Sequence, residues 1–160
     1  MEQTLRRDGE PDMRDDPGAG SAKDFFRATR WNGPAIAVST ILVIEDYSDT
    51  RELLSVLLRR KGYKVVEAED GVEGLLKASG TSPDLIIMDL TLPRMDGVET
   101  ARRIRQMPKL SDIPIFVVSG YLTEDVRVEV CSLGCVEVFP KPFDAETLLN
   151  KVSAALTAKS

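Results

Sequence analysis

Leu85-Ile86-Ile87-Met88-Asp89-Leu90-Thr91-Leu92-Pro93-Arg94-Met95-Asp96-Gly97 is the stretch on which the fold turns. Four consecutive apolar residues suit a strand buried on both faces, as strands of parallel sheets are. The run stops at a carboxylate, and a loop with proline and glycine follows before a helical pattern resumes. An acid at the C-terminal mouth of such a strand stands where open α/β sheets bind ligands and do chemistry.

The same pattern repeats on either side. Upstream, Ile41-Leu42-Val43-Ile44 runs into Glu45-Asp46. The spacing predicts strands at about 41–45, 64–68, 84–88, 114–118 and 136–139. It predicts helices at about 49–61, 71–79, 97–106, 123–133 and 144–157. Ser48 or Asp49 is expected to cap the first helix and Asp144 the last, while Gly62 stops the first. A fivefold βα alternation implies an α/β fold, a doubly wound five-stranded parallel sheet with helices on both faces. In the order 2-1-3-4-5 the winding reverses between strands one and three, which brings Glu45 and Asp46 beside Asp89.

Composition narrows what such a site does. The chain has 160 residues, 42% hydrophobic, with a net charge of −5. That balance argues against a dedicated nucleic-acid surface, which needs a basic stripe. No apolar run approaches a membrane span and the N-terminus lacks a signal-peptide core, so the expectation is a soluble, cytoplasmic protein without membrane insertion. Histidine is absent, which removes the usual triads, most zinc sites and a phosphohistidine carried by the chain itself. Cys131 and Cys135 read as two small buried apolar residues. Residues 1–38, rich in Asp, Arg, Gly and Pro, read as a disordered extension with a short aromatic and basic patch at 24–31, and 39–160 as the folded domain.

Three acids at strand ends suggest a hard-cation site and hence phosphate handling. Two carboxylates ~5 Å apart at an effective dielectric near 20 repel by about 3 kcal/mol, and a divalent cation relieves this. Mg2+ suits carboxylates that share it with phosphate oxygens. Ser119 and Lys141 close strands four and five, and a hydroxyl and an ammonium there would hold the oxygens of a phosphoryl group on Asp89. Helix one carries Leu53, Leu54, Val56, Leu57 and Leu58, more than one buried stripe requires. One or two of them, exposed near the crevice, would form a docking patch for a partner helix.

The chain resembles the receiver domain of two-component response regulators over roughly residues 40–158. The resemblance rests on Glu45-Asp46, on Asp89 followed by Pro93, on Met95-Asp96-Gly97, on Ser119-Gly120 and on Lys141-Pro142-Phe143. It implies a flavodoxin-like receiver fold, with Asp89 as phosphoacceptor and Glu45 and Asp46 supporting Mg2+. The Thr91 backbone carbonyl would complete the protein ligands, Ser119 and Lys141 would bind the phosphoryl group, and Lys141-Pro142 would be a cis peptide. The implied donor is a histidine kinase or histidine phosphotransfer protein, and the implied readout is phosphorylation-dependent binding to an unknown downstream protein. The chain departs from the commonest pattern at Val138, where such domains often carry an aromatic three residues before the lysine; Tyr121 is a candidate for a different aromatic gate. Since the sequence ends soon after the fifth helix, a stand-alone receiver is expected. An adaptor that is never phosphorylated, a receiver cut from a longer hybrid sensor and a small aspartyl phosphatase are the rivals. The last usually wants an acid two residues after its nucleophile, where Thr91 stands.

Overall fold

The computed structural model describes residues 37–159. The expectations for the N-terminal extension, including the patch at 24–31, lie outside these residues except at Ala37 and Val38, which are exposed and take no regular structure. Among the described residues, five strands alternate with five helices in chain order. They are β1 (Thr40–Ile44), α1 (Ser48–Arg60), β2 (Lys64–Ala68), α2 (Gly71–Thr81), β3 (Leu85–Met88), α3 (Gly97–Arg105), β4 (Ile115–Ser119), α4 (Glu124–Ser132), β5 (Cys135–Pro140) and α5 (Ala145–Thr157). The sheet runs in the order β2-β1-β3-β4-β5 with every pair parallel, as expected.

The continuous apolar runs are explained by two cores, one on each face. Leu42, Ile44, Ile86, Met88, Ile115 and Val117 face Ala78 of α2, Ala101 and Ile104 of α3 and Val130 of α4. Their neighbours Ile41, Val43, Leu85, Ile87, Phe116 and Val118 face Leu54 and Leu58 of α1 and Leu148 and Val152 of α5. Alternate side chains of one strand thus enter opposite layers, each fully buried aliphatic contributing about 1.5–3 kcal/mol.

Side-chain caps start four of the helices. Asp70, Asp96, Thr123 and Asp144 accept from the N–H three residues on, in α2, α3, α4 and α5 respectively. The first helix differs from expectation: its N-cap is Tyr47, with no side-chain cap bond, and Ser48 and Asp49 already lie in the helix. The Glu45 side chain accepts the Tyr47 N–H instead. Gly62 takes a positive φ of 90° just past α1, the turn that stops the helix. Strand ends also shift by a residue, since Thr40 and Ser119 join the ladders while Glu45 and Pro114 do not. The cysteines divide. Cys135 is buried, its thiol pushed up to about 11 by burial, whereas Cys131 is exposed on α4, because in that helix's last turn it is the neighbouring Val130 that points into the core.

Candidate functional site: an acidic crevice at the strand ends

Register builds the site. Ile44 pairs with Met88, so Glu45 and Asp89 leave adjacent strands side by side, and the Asp89 N–H donates to the Ile44 carbonyl at 3.0 Å. On the other flank Ser119 pairs with Pro140, and the Lys141 N–H donates to the Ser119 carbonyl at 2.9 Å. Four side chains distant in sequence therefore share one end of the sheet.

Carboxylate oxygens of Glu45, Asp46 and Asp89 all lie within 4.8 Å of one another; Glu45 and Asp89 are buried and Asp46 is exposed. Lys141 bridges the two buried acids, its Nζ donating to Glu45 Oε2 at 2.8 Å and to Asp89 Oδ2 at 2.9 Å. The other Asp89 oxygen accepts the Thr91 N–H at 3.0 Å. Burial pushes the Glu45 carboxyl up, against the pull of Lys141 and the Tyr47 amide. Burial alone would lower the Lys141 ammonium, but the two carboxylates outweigh it and hold it above its ordinary range. The two shifts share a direction but not a cause: burial dominates at Glu45, with the neighbouring Asp89 charge adding to it, whereas at Lys141 the hydrogen bonds and charges of Glu45 and Asp89 prevail over burial. A convergent set of hard oxygen donors with an excess of negative charge fits a divalent cation.

The expected residues do not all meet in the same way. Ser119 is buried, but its hydroxyl donates to the Tyr121 carbonyl at 3.2 Å and accepts the Tyr121 N–H at 3.3 Å, bonding to neither Lys141 nor Asp89. Tyr121 itself is 69% exposed, and with Thr91 it borders a groove of about 500 Å³ between α3 and α4. Val138 pairs with Val117 and packs half-buried against the layer under α2, α3 and α4. The Lys141-Pro142 peptide is cis, as the resemblance implied. Leu53 and Tyr47 stand exposed, beside Val56, on and just before α1.

Close packing holds the loop after Asp89. A β-carbon on Gly97 would lie 2.6 Å from Leu90 Cα and run into the Asp89 carbonyl, so only glycine lets α3 start this near the acid. Two supports escaped the sequence reading. Arg94, at a positive φ of 64°, forms an ion pair with Asp70 at the start of α2, its Nε donating to Oδ2 at 2.9 Å. Arg51 donates to the backbone carbonyls of Glu45 and Asp46. A helix from Gly71 was expected and is found, with Asp70 as its cap, but nothing local marks the arginine that pairs with that acid.

Residues 41–153 match the response regulator receiver domain model, and the chain belongs to that family: it is a receiver domain of the two-component signalling type. It is 34% identical over 116 residues to a Synechocystis protein described as the DNA-binding dual master transcriptional regulator RpaA, covering 72% of this chain and 48% of that one. It is 35% identical over 119 residues to hybrid signal transduction histidine kinase D of Dictyostelium discoideum, covering 74% of this chain and 8% of the relative. The chain thus spans about half the length of the first of these relatives and a small part of the second. Among solved structures, the Vibrio cholerae chemotaxis protein CheY4 superposes with a TM-score of 0.71 at 30% identity, over 74% of this chain and 99% of that one. Receiver domains are phosphoacceptors. Among the described residues no helix is long and apolar enough to cross a membrane.

Proposed function

We propose that Asp89 is the phosphoacceptor, taking a phosphoryl group from a phosphohistidine on a histidine kinase or histidine phosphotransfer protein, and that residues 39–160 are the receiver unit. The observation that carries this reading is the placement of Asp89 at the strand crossover, buried, with one oxygen on Lys141 and two further acids within 4.8 Å. An Asp89 oxygen attacks phosphorus in line; the new O–P bond replaces the N–P bond of the donor, whose ring, already protonated on its other nitrogen, keeps the N–P electron pair and leaves as neutral imidazole. Lys141 swings its ammonium from the carboxylates toward the incoming phosphoryl oxygens. Asp46, Asp89 and the Thr91 carbonyl, with Glu45 behind them, would hold Mg2+. When bound, the ion neutralises charge on the oxygens in transfer.

The resulting acyl phosphate gives Ser119 a stronger acceptor than the Tyr121 backbone, to which its present bonds are long. Moving the Ser119 hydroxyl draws the segment Gly120–Leu122 inward and changes the surface seen by a downstream protein. With Val138 at the usual aromatic position, Tyr121 is the aromatic through which this change is read. Thr91 and Tyr121 flank the path of water to the acyl phosphate and set its lifetime. Exposed Leu53, Val56 and Tyr47 offer the donor's helix an apolar landing beside the crevice. The protein turns over no small substrate beyond its own phosphorylation and dephosphorylation. It is a cytoplasmic signalling module that works by protein contact and does not bind nucleic acid through this domain.

Incubation with Mg2+ and acetyl phosphate, followed by intact-mass measurement, tests the acceptor. Wild type is expected to gain one phosphoryl group and Asp89→Asn none. Absence of any gain, where a control receiver is labelled, would point to an adaptor that is never phosphorylated.

A further inference from the structure

Arg51 sits in the first turn of α1, with its guanidinium folded beneath the acidic turn; only 14% of the side chain is exposed. Nη1 donates to the Glu45 carbonyl at 2.8 Å and lies 3.4 Å from the Asp46 carbonyl. Nη2 donates to Glu69 Oε1 at 3.3 Å, and Nε lies 3.6 Å from Glu67 Oε2. Glu67 and Glu69 flank Ala68, whose carbonyl accepts the Glu45 N–H at 3.0 Å. One planar fork therefore ties two consecutive carbonyls of the acid-bearing turn to two carboxylates at the end of the neighbouring strand. A lysine carries the same charge, but a single ammonium on a flexible stem lacks the fork geometry.

We propose that Arg51 is a positioning residue for cation binding: it holds the Glu45-Asp46 backbone so that both side chains converge with Asp89. The inference rests on reading these acids as the cation site. This turn has need of such a hold, since α1 starts without a side-chain cap and Asp46 is exposed. Two effects of Arg51 on a cation have opposite signs. Its charge alone would repel the ion, and Glu67 and Glu69 offset that charge locally; its geometry assembles the ligands. Replacing it by lysine keeps the charge and removes the fork, so the geometric part is read by itself.

The test is Mg2+ affinity of the full chain by titration calorimetry, with Mn2+ electron paramagnetic resonance as a second readout, beside thermal unfolding in EDTA. Arg51→Lys is expected to weaken Mg2+ binding roughly tenfold, as loss of a partner that orients metal ligands commonly does. Glu69→Gln, at an exposed partner where folding is not at stake, moves affinity the same way by less. Arg59→Lys serves as the control, because Arg59 pairs with Glu67 at 2.9 Å but with no carbonyl of the acidic turn, and it keeps wild-type affinity. Arg51→Lys and Glu69→Gln binding Mg2+ as tightly as wild type would overturn the proposal, even with a lowered melting temperature, and so would an equal loss in Arg59→Lys. If wild type itself takes up no Mg2+, the cation-site reading fails first, an outcome distinct from wild-type binding that Arg51→Lys leaves unchanged.

Discussion

Lys141 and Glu45, 96 residues apart, share a hydrogen-bonded ion pair of 2.8 Å at the centre of the crevice. The same ammonium serves Asp89, so the lysine balances the charge of the buried acids while standing over the acceptor oxygen. Removing it has two consequences of opposite sign. Lys141→Met in EDTA is expected to lose about 2 kcal/mol by urea unfolding, less than a fully buried pair would because the lysine is partly solvated. The variant should nevertheless bind Mg2+ more tightly than wild type, since the site gains net negative charge, while acetyl phosphate labels it far more slowly. Parallel falls in affinity and labelling would contradict this division.

Asp70 gives the clearest pH dependence. Burial by itself would raise its carboxyl, but the Glu73 amide and the Arg94 guanidinium outweigh that and hold it below the usual carboxylate range. A depressed pKa contributes stability above the unfolded value of about 3.8, lost as pH falls through the lower folded value. Asp70→Asn, which still caps α2, is expected to be about 1 kcal/mol less stable than wild type at pH 7. The gap should close below pH ~3.8. Urea midpoints at pH 7 and pH 3 read it directly.

Two glycines with different surroundings predict opposite outcomes. Gly97→Ala pushes a methyl group into the Asp89-Leu90 backbone, at a cost of about 2 kcal/mol or more, and displaces the acceptor. Gly80→Ala meets nothing within 4 Å on α2 and should stabilise by about 0.5–1 kcal/mol through helix propensity. Thermal melts of both variants, with phosphorylation rates for Gly97→Ala, test the contrast.

Ser55 lies wholly buried on α1, and its hydroxyl has no hydrogen-bond partner among the described residues. A buried hydroxyl left unsatisfied is a net cost. Ser55→Ala is therefore expected to stabilise the domain by about 1 kcal/mol in chemical denaturation, with phosphorylation unchanged.

The residues that end each strand were legible in the sequence for a local reason. An apolar run that stops at a carboxylate, hydroxyl or lysine marks its own end, and Asp144, the one cap anticipated correctly, obeys a rule that spans three residues; Ser48 and Asp49 gave way to Tyr47, and Asp70, Asp96 and Thr123 were not anticipated as caps. Fold class, strand order and the meeting of Glu45, Asp46 and Asp89 follow from such local signals together with the handedness of βα crossovers. Direction of side chains does not. The ladder between β4 and β5 shifts register at Ile115/Phe116, so spacing along β5 could not say which layer Val138 would enter. Nor could spacing separate buried Cys135 from exposed Cys131 four residues away.

The sequence by itself determined which groups gather at the end of the sheet: three acids, one hydroxyl and one ammonium, carried there by four strands, β1 bringing both Glu45 and Asp46. Only the tertiary structure decided whom each one touches. Lys141 chose Glu45 as well as Asp89, Ser119 turned to the Tyr121 backbone, and Arg51 and Arg94 reached across to carbonyls and a carboxylate on other elements. Those pairings depend on angles and distances between segments far apart in the chain, which exist only after the layers have packed.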